Sequence, residues 1–266
     1  VLLTRRFRFS TLITAATLLG ACVQSSTSTP AALPNAQTTP APVWDVIAPG
    51  LERLNLRPNN SALVSFIVLR IDPARYAFRA HYQPGEARSV VGWRDALPDA
   101  AALINANFFD RDNRILGLLI ADGVIHGQSY RDRGGMFAVD ADGAVSVRAL
   151  IPAPYQGEAY TQAVQAFPVL VAHGEPAFTN TRGDGLSRRT VIAVDDDGYV
   201  LWIVSSSLIG LRLTELSAYL PTANLGIVDA FNLDGGGSTL LYIAPDDTTI
   251  PSFDAVPAVL AIYPKP

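Results

Sequence analysis

Gly226-Ile227-Val228-Asp229-Ala230-Phe231-Asn232-Leu233-Asp234-Gly235-Gly236-Gly237-Ser238-Thr239-Leu240-Leu241-Tyr242-Ile243 sets two apolar, strand-like runs on either side of three consecutive glycines. Glycine loses the most backbone freedom on ordering and gives a strand nothing to pack, so such a run needs a reason. Two reasons fit. A chain without side chains lets its N–H groups close around an anion, with Asp234 and Ser238 at the edges of the cradle. Equally, the run is a turn between strands in which glycine supplies positive φ and Asp234 caps its own backbone. It lacks both the Gly-Lys-Ser/Thr ending of a nucleotide phosphate loop and the Gly-x-Gly-x-x-Gly spacing of a dinucleotide site, so no nucleotide is implied.

Outward from this stretch, the chain from Trp44 onward is mostly short β-rich runs separated by turn residues. Leu63 to Ile71 and Tyr76 to Tyr82 flank Asp72-Pro73 and read as a hairpin. Ala100 to Ala106 reads as a buried strand. Three further strand pairs enclose Asp-Gly steps or Asp-rich turns: Leu116 to Ala121 with Val124-Ile125, Met136 to Val139 with Val145 to Val147, and Thr190 to Val194 with Tyr199 to Ser205. Helical patterns are few. Val91 to Leu97 is one, and Thr214 to Leu220, with Thr214 as N-cap and Pro221 as terminator, is another. No period of twenty to fifty residues recurs, which excludes solenoids and propellers. The expected fold is therefore α+β: a single domain over residues 44–266, built on a twisted mixed, mainly antiparallel β-sheet with a few helices.

With 266 residues and 49% hydrophobic content, the chain can bury one large core. Twenty basic against 24 acidic residues give a net charge of -4, which excludes the broad cationic surface of a nucleic-acid binder. Any anionic ligand must be met by a few local arginines.

Arg5, Arg6 and Arg8 precede the apolar run Thr11 to Leu19, the pattern of an export signal and too short a run to span a bilayer. The run ends in Leu19-Gly20-Ala21-Cys22, which resembles a bacterial lipobox and contains the chain's one cysteine. Residues 1–21 are thus expected to be a lipoprotein signal peptide and Cys22 the lipidation site. Residues 22–43, rich in Ser, Thr, Pro and Ala, cannot bury enough surface to offset ordering and are expected to be a disordered tether. The expected location is the bacterial cell envelope, at the periplasmic face of the outer membrane, with the lipid anchor as the only membrane contact.

Four other segments carry chemistry. Asn105-Ala106-Asn107-Phe108-Phe109-Asp110 closes a strand, where Asn107 can project polar groups into a cleft and the phenylalanines can wall a sugar face or simply be core. Asp122 is most simply a turn residue. His126 and His173 are not spaced as zinc ligands on one helix. Ser187-Arg188-Arg189-Thr190 opens a strand, so the two arginines face opposite sides: one of them can hold a phosphate through two parallel hydrogen bonds, or the pair is simply a solvated strand edge.

Taken in order, Asn107-Phe108-Phe109, Gly117 with Asp122-Gly123, Phe167-Pro168-Val169-Leu170, Arg188-Arg189-Thr190-Val191-Ile192-Ala193 with Asp197-Gly198, Thr214-Glu215-Leu216 and Asn232-Leu233-Asp234-Gly235-Gly236-Gly237-Ser238 resemble the phosphodiester glycosidase family, across roughly residues 60–264. Many members carry glycine where this chain has Ala106. The resemblance implies a hydrolase that cuts a sugar-1-phosphodiester or related glycan phosphodiester. Asp234 is implied as the carboxylate, with Glu215 a second, weaker candidate that equally compensates a helix dipole. Asn107, Phe108, Arg188 or Arg189, the backbone of Gly235, Gly236 and Gly237, and the Ser238 hydroxyl are implied to bind substrate. Two other readings stand beside this one. The first is a noncatalytic glycan- or polyanion-binding lipoprotein of envelope or exopolysaccharide assembly. The second is a metal-assisted phosphodiesterase in which Asp234 and Asp122 hold a divalent cation.

Overall fold

Phe66-Ile67-Val68-Leu69 is buried on both faces, because alternate residues of a strand point to opposite sides and both sides are covered. Phe66 and Val68 join one apolar cluster, while Ile67, Leu69 and Ile71 join another. The computed structural model describes residues 42–58 and 61–266, all of which fall in one compact unit. The expected signal peptide, Cys22 and nearly all of the tether lie outside the described residues.

The strands form three sheets, and every registered pair among the described residues is antiparallel. The eight-stranded sheet runs Asp45–Ala48, Leu51–Leu56, Phe66–Ile71, Val200–Ser205, Thr190–Asp195, Ile227–Asn232, Val169–Ala172, Glu175–Pro176. A five-stranded sheet runs Val124–Gly127, Leu118–Ala121, Gln162–Ala166, Gly135–Val139, Val145–Ala149. A second five-stranded sheet runs Thr248–Ile250, Leu241–Ile243, Ala102–Asn105, Ala258–Pro264, Tyr76–Tyr82. The sheets meet over a shared core. Phe78, Phe137 and Trp202, one from each sheet, pack with ring centroids 5.2 Å (Phe78–Phe137) and 6.2 Å (Phe78–Trp202) apart. Burying each such side chain stabilises the fold by roughly 2–3 kcal/mol.

The α+β class holds, with antiparallel strands dominant and, among the described residues, two short α-helices, Val90–Ala96 and Leu213–Tyr219. Trp93 of the first helix covers the outer face of the Ala102–Asn105 sheet, and Leu216 of the second covers the outer face of the eight-stranded sheet. The three hairpins read around Asp122-Gly123, Asp140 to Ala144 and Asp195 to Gly198 are all present. In the last, the Asp195 carboxylate accepts from the amides of Asp197 and Tyr199, as an Asp-led turn should.

Two local expectations are corrected. Phe66–Ile71 and Tyr76–Tyr82 do not form a hairpin: the first pairs with Leu51–Leu56 and Val200–Ser205, and the second with Ala258–Pro264 in another sheet. The reason is burial. A strand apolar on both faces takes an interior place, whereas the alternating Tyr76–Tyr82 run suits a sheet edge. Nor is Thr214 the N-cap of its helix. Arg212 holds that position, and the Asp184 carboxylate caps from a distant loop by accepting from the amides of Leu213 (2.7 Å) and Thr214 (3.0 Å).

The two strands that flank the triglycine run belong to different sheets, Ile227–Asn232 to the eight-stranded one and Leu241–Ile243 to a five-stranded one. The run is therefore the passage from sheet to sheet.

Candidate functional site

Asn105 closes its strand with a side chain that ties three segments together. Its Nδ2 donates to the Asp234 carbonyl at 2.6 Å, while its Oδ1 accepts from the Thr190 hydroxyl at 2.7 Å and the Leu240 amide at 3.1 Å. The Asp234 amide donates to the Ala106 carbonyl. Asp234 is thus held at the junction of the strand ends rather than on a free turn.

The Asp234 carboxylate is half-buried and accepts from the Gly235 amide at 2.8 Å and from the Ser238 hydroxyl. Burial raises its pKa, the two hydrogen bonds pull it down in part, and the nearby Asp254 carboxylate adds to the rise.

The glycines serve close approach. A Cβ on Gly235 would lie 2.7 Å from the Arg188 carbonyl oxygen, and one on Gly237 would lie 1.9 Å from Asp254 Oδ2. Gly236 has φ +61°, and its amide donates to the Arg188 carbonyl at 2.8 Å. Two of the three glycine amides are committed within the protein, Gly235 to Asp234 and Gly236 to Arg188. What the absent side chains achieve here is to press the Ser187-Arg188 segment and the Pro251-to-Asp254 loop against Asp234.

Strand alternation separates the two arginines. Arg189 shares its face with Val191 and Ala193, under the Leu213–Tyr219 helix, and donates to the carbonyls of Leu211 (2.9 Å) and Gly185 (2.7 Å) beside Asp184. Arg188 shares its face with Thr190, the partner of Asn105. It is 5% exposed, donates to the Pro251 carbonyl at 3.0 Å and stacks 5.0 Å from the Phe253 ring. Among the described residues no carboxylate lies within 4.0 Å of it, its Nε has no hydrogen-bond partner, and burial lowers its pKa. A buried guanidinium without a counter-ion is costly, and an anion would complete it.

Asn107 is buried, with Nδ2 donating to the carbonyls of Leu118 and Gln165, both at 2.9 Å, and its Oδ1 unpaired. Phe108 is half-buried and stacks 4.7 Å from Phe167, which meets Tyr130 edge-on at 5.4 Å. Glu215 accepts from the Arg212 amide at 3.0 Å and so closes the start of its own helix. Asp122 receives the Gln162 Nε2 at 2.8 Å at the far end of the Leu118–Ala121 strand. Asn107 grips the near end of that strand at Leu118, roughly 13 Å away at the usual rise per residue. Asp122 and Asp234 therefore do not converge on one cation, and no cluster of three or more His, Cys, Asp or Glu gathers among the described residues.

Tyr130 and Asp254 are contributions that sequence reasoning passed over, while Asn105 and Phe167 stand in motifs quoted above whose sequence does not show these contacts. The Tyr130 ring lies over Gly117, where a Cβ would come within 2.5 Å of it, and its amide donates to the Gln165 side chain. Burial pushes its phenol up to about 12, and the Asp234 charge contributes in the same direction. Among the described residues nine buried side-chain polar atoms have no hydrogen-bond partner within the protein, and those of Asn232, Thr239 and Ser252 lie on or next to the segments that carry or contact the triglycine turn. A groove of about 490 Å³, lined by Arg133, Phe167, Val169, Phe178 and Leu213, opens from the Phe167 side. A cavity of about 670 Å³ beside Arg75 and Lys265 touches none of these residues.

The Asp234 turn, the Arg188 backbone carbonyl that it hydrogen-bonds and the Phe108–Phe167 pair make up the candidate site. The phosphodiester glycosidase family model matches residues 98–263, and the chain belongs to that family of glycosidase-type hydrolases. The solved catalytic domain of zebrafish N-acetylglucosamine-1-phosphodiester alpha-N-acetylglucosaminidase, auto-inhibited by its pro-peptide, shares the fold with a TM-score of 0.62 at 18% identity, over 86% of this chain and 85% of that one. A hypothetical protein from Synechocystis aligns with a TM-score of 0.61 at 16% identity, over 86% of this chain and 64% of the other. A comparison with curated protein sequences finds no match.

Proposed function

We propose that the protein is an envelope hydrolase that cleaves a sugar-1-phosphodiester between the anomeric carbon and the bridging phosphate oxygen. Water adds across that bond, so the products are a free sugar and a phosphate monoester. Positive charge develops at the anomeric carbon and negative charge on the departing phosphate. Asp234 is the carboxylate for the first, and Arg188 is the cation for the second. The observation that carries the reading is the Arg188 guanidinium, buried without a carboxylate on a segment that touches the Asp234 turn. The Phe108–Phe167 pair offers an apolar wall to a sugar face, and Tyr130 remains a neutral hydroxyl donor at physiological pH. Ser238 holds the Asp234 carboxylate in place.

The test is turnover of a panel of sugar-1-phosphodiesters by the purified protein, with Asp234→Asn as control. Release of sugar that Asp234→Asn abolishes supports the reading. Binding without release would make the chain a glycan-binding protein instead. We place the protein at the envelope on the lipobox-like Leu19-Gly20-Ala21-Cys22, with Cys22 acylated. Cys22→Ser should then release it from the membrane fraction, and a variant that stays fully anchored refutes the lipidation.

A further inference from the structure

Four of the twelve large apolar residues exposed among the described ones gather on loops that meet at Ser187 and Arg188: Leu186 (59%), Leu208 (78%), Ile209 (45%) and Phe253 (67%). Close contacts fix the meeting. A Cβ on Gly210 would lie 1.7 Å from the Ser187 carbonyl oxygen, one on Gly236 would lie 3.2 Å from Ser187 Oγ, and the Phe253 amide donates to the Gly237 carbonyl at 2.7 Å. The loop segments Ser205-Ser206-Ser207-Leu208-Ile209-Gly210 and Pro251-Ser252-Phe253 carry no charge. Beneath this rim lies the Arg188 guanidinium, without a carboxylate within 4.0 Å among the described residues and 5.0 Å from the Phe253 ring.

An exposed apolar rim continuous with a buried cation complements a ligand in which a phosphate is joined directly to an apolar chain. We propose that these loops seat the protein on a lipid bilayer and that its substrate is a sugar-1-phosphodiester whose aglycone is a lipid held in that bilayer. The inference rests on the hydrolase reading above and names its substrate class. Hydrolysis then leaves the lipid as its phosphate monoester in the membrane and frees the sugar to water. Loop tips with aliphatic and aromatic side chains suit insertion at the headgroup boundary, with the exposed Asp254 that follows Phe253 left on the aqueous side. They offer neither a sheet edge nor a helix face to a protein partner.

Two diesters of the same sugar test this with the full chain carrying Cys22→Ser, so that acylation plays no part. One is the methyl diester of N-acetylglucosamine-1-phosphate in solution, and the other is its hexadecyl diester in phosphatidylcholine vesicles. The double variant Leu186→Ser/Leu208→Ser should lose about tenfold or more in kcat/KM on the vesicle substrate and stay within about twofold on the methyl diester, because only the former needs the rim buried. Separately, the Phe253→Trp indole should shift to shorter emission wavelengths with vesicles and be quenched by brominated acyl chains, and Ile209→Trp should repeat the result. Equal losses on both substrates, or unquenched indoles at both positions, overturn the inference while leaving methyl-diester turnover to uphold the hydrolase reading. Quenching with neither diester cleaved sinks that reading, and the lipid-substrate assignment with it.

Discussion

Asn105 Nδ2 donates to the Asp234 carbonyl at 2.6 Å, and this bond sets where the acid stands relative to the strand ends. The same side chain accepts from Thr190 and Leu240, so one buried amide links three segments distant in sequence. Asn105→Ala strands the Thr190 hydroxyl and the Leu240 amide without partners. It should cost about 2–4 kcal/mol of stability, since each buried group left unpaired costs about 1–3 kcal/mol. Urea denaturation measures this. A loss below about 1 kcal/mol would mean that the clasp is dispensable.

The adjacent arginines should separate stability from activity. Arg189→Met removes two part-buried bonds to carbonyls and the charge beside Asp184, and should cost about 1–3 kcal/mol. Arg188→Met removes a cation that burial already disfavours, so stability should change little, while kcat/KM on a sugar phosphodiester falls by about 10²-fold or more. The reverse assignment of losses between the two would place the phosphate at Arg189.

Much of the framework was legible because its signals are local. Alternation in Tyr76–Tyr82 and the Asp-led turn at Asp195 act over a few residues, and both formed as read. Which strands pair was not legible from such signals. Asp72-Pro73 looks like a hairpin turn but carries the chain between sheets, a choice made by the two-sided burial of Phe66–Ile71. At the site, the triglycine run announced close approach, but not what approaches. Arg188 and Asp254 arrive from segments far from it in the chain, and no periodicity links them. Tyr130 sits in a polar loop whose only clue, Gly117, becomes a clue once the ring is seen lying over it.

Asp234→Asn should abolish turnover and leave the fold as stable or more stable at neutral pH. Folding raises the pKa of Asp234, chiefly through burial, so the folded state favours the protonated form. The sign follows: the stability contributed by this group is present below the unfolded pKa and is lost as pH rises through the folded pKa. The neutral amide avoids that loss and can keep the Gly235 bond. A melting temperature at pH 7 lowered by more than about 3 °C, roughly 1 kcal/mol for a domain of this size, would contradict the desolvation argument.

Asp254 should tune the pH dependence of the reaction through its charge alone. If Asp234 acts as a carboxylate, the rate falls as it protonates, so the acid limb of kcat/KM lies above the ordinary carboxylate range, in the direction of its raised pKa. Part of that rise comes from the Asp254 charge, which presses Oδ2 close to Gly237 while the residue itself stays exposed. Asp254→Asn removes the like charge and should move the acid limb to lower pH with the fold intact. Gly237→Ala should act the same way, because the new methyl occupies the place of the Asp254 carboxylate and turns it outward, at little cost since that side chain faces solvent. Gly210→Ala is the contrasting case: its methyl meets the Ser187 backbone, which cannot swing aside, so stability should drop by about 3 kcal/mol. An acid limb that stays put in both Asp254→Asn and Gly237→Ala would remove Asp234 as the group titrating in the reaction.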